Sequence, residues 1–110
     1  MMRISYNPIR YYKKFKKEYL QFVVFVKCGS VYHTFDSDAK IVAYVDERTI
    51  EDGTVKIYRQ EFLEVLKVLH EAGLNVVLVG SNKASEFYTS KQSEYMKVRA
   101  KSKTFFKSHQ

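Results

Sequence analysis

One hundred and ten residues, 45% of them hydrophobic, make room for one domain with a sizeable core. No apolar run approaches the roughly 18 residues of a membrane-spanning helix, and a single cysteine, Cys28, excludes an internal disulfide. The net charge of +7 is segregated: residues 1–27 carry seven Lys and Arg against one Glu, residues 28–80 five against nine Asp and Glu, and residues 81–110 seven against two.

Basic ends around an acidic middle point to a polyanionic partner, because clustered Lys and Arg release counterions from a phosphate backbone. They also keep a small protein soluble, which needs no partner at all. Met1 to Pro8 holds no apolar signal region, and a lone thiol suits a reducing compartment, so a cytoplasmic protein is expected.

Asn7-Pro8 is a helix-start signal, with Asn as cap and Pro in the first turn. Ile9, Tyr12, Phe15 and Tyr19 then recur at helical spacing as an apolar face. Arg10, Lys13, Lys14 and Lys17 form a cationic stripe beside it, either a solvated face or a phosphate contact. Phe22 to Val26 is an unbroken run of β-formers, expected as a strand buried on both faces. Gly29-Ser30 turns the chain and Val31 to Phe35 returns it as a hairpin. Asp36 or Ser37 is expected to cap a short helix that turns Ala39, Val42 and Ala43 inward.

Asp52-Gly53, between alternating residues of the 49–57 stretch, predicts a second hairpin. Arg59 to Ala72 predicts a helix with Phe62, Val65, Leu66 and Leu69 inside and Gly73 as its stop. Val76 to Val79 reads as another buried strand. The element order is then α-β-β-α-β-β-α-β, a mixed sheet with flanking helices in an α/β or α+β domain. Residues 1–80 are expected as the globular domain and residues 81–110 as a basic extension. In that extension Tyr95, Val98, Ser102 and Phe105 would line one stripe of a docked helix, but a mobile tail is equally compatible.

Three segments resemble the N-terminal, mismatch-recognising domain of the MutS family of DNA mismatch repair proteins. Tyr12 to Tyr19 is similar to that domain's opening helix. Phe25-Val-Lys-Cys-Gly-Ser-Val-Tyr-His-Thr-Phe-Asp-Ser-Asp-Ala-Lys40 is similar to its strand, basic residue, Gly, Asp-Phe-Tyr-Glu-Leu-Phe and acidic helix start. Ile57 to Val79 resembles its closing helix, with Ala-Gly at the end, and the buried strand that follows. The resemblance covers about residues 8–80. It implies a non-enzymatic domain that binds double-stranded DNA, in which the Phe of a Phe-x-Glu motif stacks on an unpaired base. Here Val31 stands at the Phe position, Tyr32 between, and His33 at the Glu position. Valine has no π face to supply the ~1–3 kcal/mol of base stacking. Weak or non-specific DNA binding is therefore expected, through Lys13, Lys14, Lys17, Lys27, Lys97, Arg99, Lys101 and Lys103 on phosphates, with Val31 to His33 near the minor groove. The rival expectation is a protein-interaction module or self-associating domain that keeps the fold alone.

Other chemistry finds little support. Cys28 and His33 lack an orienting third group for nucleophilic catalysis. His33, His70 and His109 share no metal-ligand spacing, and neither a metal nor another cofactor is implied. Asp36 and Asp38 are explained by capping and by an acidic first turn before any nuclease role. No Gly-x-x-x-x-Gly-Lys-Ser/Thr loop occurs, and no small-molecule substrate is suggested. Tyr6, Tyr11, Tyr88 and Tyr95 sit among basic groups in a way that suits nucleic acid.

Overall fold

Phe22–Cys28 forms β1, the strand against which the rest is laid. The structure, a computed structural model, describes residues 7–81 and 83–108. Tyr6 and His109 lie outside the described residues. Val23 and Phe25 enter one core and Val24 and Val26 another, all four fully buried, so the unbroken apolar run reflects a strand covered on both faces. β1 pairs in parallel with β4 (Asn75–Gly80), and antiparallel with β2 (Val31–Phe35). β3 (Thr54–Tyr58) flanks β2 and β5 (Lys83–Phe87) flanks β4, both antiparallel, giving the mixed sheet order β3-β2-β1-β4-β5.

Helices cover both faces. α1 (Pro8–Lys16) packs Ile9, Tyr12 and Phe15 on Val24, Val26, Phe35, Val77 and Val79. The opposite core gathers α2 (Asp36–Asp46), α3 (Phe62–Glu71) and α4 (Tyr95–Ser108), through Ile41, Val42, Phe62, Leu66, Leu69 and Tyr95. α4 packs chiefly on α2. The expected α+β domain with a mixed sheet is what forms.

Three local expectations are corrected. Asp52 (φ 52°) and Gly53 (φ 72°) adopt the double positive φ of a type I′ turn, as the dipeptide predicts. The strand expected before that turn is reduced to one bridge, Glu51 to Thr54. Glu47 ends α2 in a left-handed conformation, and Arg48 is drawn to Asp46 (2.6 Å) and Glu61 (3.4 Å), which leaves too little chain to pair. The missing strand is replaced by β5, which the Ser- and Lys-rich composition after Gly80 did not announce. Capping is the third correction. Phe35, not Asp36 or Ser37, occupies the N-cap of α2, and neither it nor Asn7 makes a side-chain cap hydrogen bond.

The stop at Gly73 is as expected (φ 79°), although Arg59–Glu61 is a 3-10 turn that leads into α3. The basic C-terminal segment is a docked helix. Tyr95 and Ser102 are buried, Val98 packs on the core, and Phe105 meets Tyr44 at 5.2 Å between ring centroids.

Candidate nucleic-acid interface

The candidate contact residues separate into two regions at opposite ends of β1. The first is the Gly29 turn. Gly29 takes φ 65° with open space where a Cβ would stand, and Gly29 and Ser30 are exposed at the hairpin tip. Side chains alternate across a strand, so Val31, His33 and Phe35 share one face and Tyr32 takes the other. Val31 and His33 are half-buried, and the His33 ring stands 6.0 Å from Phe35. Tyr32 is buried and meets Phe62 edge-on at 5.1 Å, which commits its ring to the core.

β3 supplies the neighbours of this tip. Tyr58, well exposed, lies opposite Val31, and Lys56 lies opposite His33. Partial burial and the Lys56 ammonium both hold His33 below the ordinary imidazole range, so it is neutral at pH 7. Beside the tip, a groove of about 750 Å³ opens at the C-terminal ends of β1 and β4. Tyr11, Lys27, Cys28, Gly80, Ser81 and Lys83 are among its walls, which include no carboxylate among the described residues. Gly80 lets the Lys27 chain lie close, since a Cβ there would come within 2.9 Å of Lys27 Cδ.

The second region is built on a buried carboxylate. Asp38, in the first turn of α2, is fully buried. Its Oδ2 accepts from the Tyr12 hydroxyl (3.0 Å), the Val24 amide (3.0 Å) and Lys16 Nζ (3.0 Å). Its Oδ1 accepts from the Tyr95 hydroxyl (2.6 Å) and again from Lys16 (3.1 Å). Lys16 also donates to the Phe22 carbonyl (2.5 Å) and sits 4.5 Å from the Tyr95 ring centroid. One carboxylate thus ties α1, β1, α2 and α4 together. Burial pushes the Asp38 carboxyl up and the Lys16 ammonium down, while each charge opposes the other's shift. Burial and then the Asp38 charge raise Tyr12 and Tyr95, which therefore remain O–H donors.

Over this hub lies a cleft of about 410 Å³ whose walls include Lys13, Lys16, Lys17, Leu20, Asp36 and Arg99. A smaller hollow of about 190 Å³ continues it along Ser37, Lys40, Arg99 and Lys103. The fold therefore brings together Lys13 and Lys17 from one end of the sequence with Arg99 and Lys103 from the other. Lys97 is instead paired with Glu94 at 3.3 Å, and Lys101 and Lys14 are exposed away from the cleft walls. Tyr11 lines the turn-side groove, Tyr88 donates to Glu86 (2.6 Å), and Tyr95 is buried in the hub.

Two contributors were missed in the sequence. Lys16 sits on the apolar side of α1, one turn after Tyr12, and a cation on an apolar stripe is the signal of a buried ion pair. Lys40 lies one turn after Asp36 and left no comparable signal. Among the described residues no three His, Cys, Asp or Glu side chains converge as metal ligands, and no helix is long and apolar enough to cross a membrane.

A comparison with curated proteins finds no match. The family model for MutS domain I matches residues 7–91, which takes in α1 through β5 and the Gly29 turn. The match covers most of the chain, and the chain belongs to the MutS domain I family.

Proposed function

We propose that this chain is a non-enzymatic DNA-binding domain that holds duplex DNA without selecting mismatches. The observation that carries the reading is the exposed Gly29 tip, flanked by Lys27, Lys56 and Lys83, with Val31 and His33 as its two same-face side chains. The tip has cations for phosphates and open space to approach a groove. Val31 itself offers no aromatic ring to stack on a base, and His33 no carboxylate to accept from one. Affinity then comes from counterion release and falls steeply with salt.

The acidic Glu51-Asp52 turn does not oppose this placement. Thr54 pairs with Phe35 and Tyr58 with Val31, so the Glu51-Asp52 turn lies at the far end of β3 from the tip, roughly 13 Å away at about 3.3 Å per residue. A titration of a matched 20-base-pair duplex by fluorescence anisotropy, at low and at physiological salt, tests the reading. Salt-sensitive binding is expected, and no binding at low salt overturns it.

A further inference from the structure

We propose that the cleft between α1 and α4 seats backbone phosphates of duplex DNA, as a contact separate from the Gly29 tip. This inference rests on the DNA-binding reading above and adds a second site to it. Lys13 and Lys17 come from α1 and its end, Lys40 from α2, and Arg99 and Lys103 from α4. None of these five is ion-paired among the described residues, whereas Lys16, Arg48, Lys67, Lys91 and Lys97 all have carboxylate partners. Five cations without an ion-pair partner among the described residues surround one trough and repel one another. Among the described residues Asp36 is the one acid on the cleft wall, and Asp38 is buried beneath it. The Asp36 amide donates to the Gly53 carbonyl, so the Glu51-Asp52 turn lies near Asp36 without lining the cleft.

Arg99 is held in place. Its guanidinium carbon stands 5.9 Å from the centroid of the Tyr95 ring, and that ring is fixed by Asp38. A guanidinium positioned in advance presents its donor fork to a phosphate with little entropy to lose. The two hollows share Ser37 and Arg99 and so run on as one elongated trough. That shape suits consecutive phosphates of a strand better than a single small anion. Val24, whose amide holds Asp38 at the base of the cleft, precedes Gly29 by five residues, which separates the two sites by roughly 17 Å. Docking of α4 therefore creates a contact surface that the hairpin tip alone does not supply.

The test uses Lys17→Gln with Lys103→Gln, two exposed and unpaired residues whose loss leaves the hub intact. The control is Lys67→Gln with Lys91→Gln, equal in charge and remote from the cleft. Unchanged thermal midpoints in the cleft variant establish folding, and anisotropy with a 20-base-pair duplex over a salt series is the readout. The cleft variant is expected to lose about 10-fold in affinity and to flatten the log–log salt slope by roughly 1.8, at about 0.9 per phosphate contact. The control is expected to keep the wild-type slope. If wild type binds DNA and both variants share its slope, the cleft inference is overturned while the DNA-binding reading survives. If wild type binds no duplex at low salt, both are overturned. If polyglutamate displaces the duplex as well as heparin does, the cleft is a site for acidic protein segments and the phosphate assignment is overturned.

Discussion

The Tyr95 hydroxyl donates to Asp38 Oδ1 at 2.6 Å across 57 positions of sequence, and this bond anchors α4 to the centre of the domain. Hydrogen bonds to a charged acceptor contribute about 1.5–3 kcal/mol. Tyr95→Phe keeps the ring, removes the donor, and is expected to lower the thermal midpoint by roughly 10 °C. Amide exchange should speed up first in α4, because the other ties of Asp38 run to α1 and β1. A variant with unchanged exchange in α4 would show that the helix is held by its apolar contacts alone.

Lys16 and Asp38 form a buried ion pair at 3.0 Å, and removing either partner strands the other charge. Lys16→Met and Asp38→Asn should each cost about 3–5 kcal/mol. The double substitution should cost clearly less than the two single losses added together, since no uncompensated charge remains. Urea denaturation of the four proteins measures this coupling. Strict additivity would mean that the pair does not act as a unit.

This hub also marks the limit of what could be read in advance. The run Phe22 to Val26, the Gly29 turn and the Gly73 stop were legible because each rests on local chemistry: apolar continuity, or a positive φ that glycine adopts freely. Asp38 was not, since a carboxylate in a first helical turn looks the same whether it faces water or takes donors from residues 12, 16, 24 and 95. The strand expected before Asp52-Gly53 failed for a related reason. The turn is a property of two residues, but its partner strand depends on where α2 ends and on what holds Arg48. The meeting of Lys13 and Lys17 with Arg99 and Lys103 required α4 to dock, and the sequence left docked helix and mobile tail equally open.

His33 should make stability pH-dependent. Burial and Lys56 lower its folded value below the ordinary 6.5, so just below 6.5 the unfolded chain binds the proton more readily. Stability is then fully present above pH 6.5 and is lost as pH falls towards the folded value. His33→Gln should flatten that part of the profile, measured as urea midpoints from pH 5 to 7.5. An identical slope in the variant would assign the effect to other groups.

Gly73 carries a local prediction. It holds φ 79°, and a Cβ there would stand 2.8 Å from Glu94 Cγ and 3.0 Å from the Gln92 carbonyl oxygen, where the chain enters α4. Gly73→Ala is expected to cost about 1–3 kcal/mol through strain and this clash. Gly53→Asn should cost less, because φ is again positive but a Cβ at that position meets nothing within 4 Å. Equal losses at the two sites in chemical denaturation would contradict the role of Glu94 and Gln92.

On the proposed function, this MutS domain I holds duplex DNA without mismatch preference because Val31 and His33 stand at the reading positions. The most direct measurement compares wild type with Val31→Phe/His33→Glu on a matched duplex and on one carrying a single mismatch, by fluorescence anisotropy at one fixed salt concentration. Wild type is predicted to bind both duplexes equally. The double variant is predicted to prefer the mismatched one by about 5- to 150-fold, the range expected from ~1–3 kcal/mol of base stacking. A mismatch preference already present in wild type, or none in the double variant, would contradict the account.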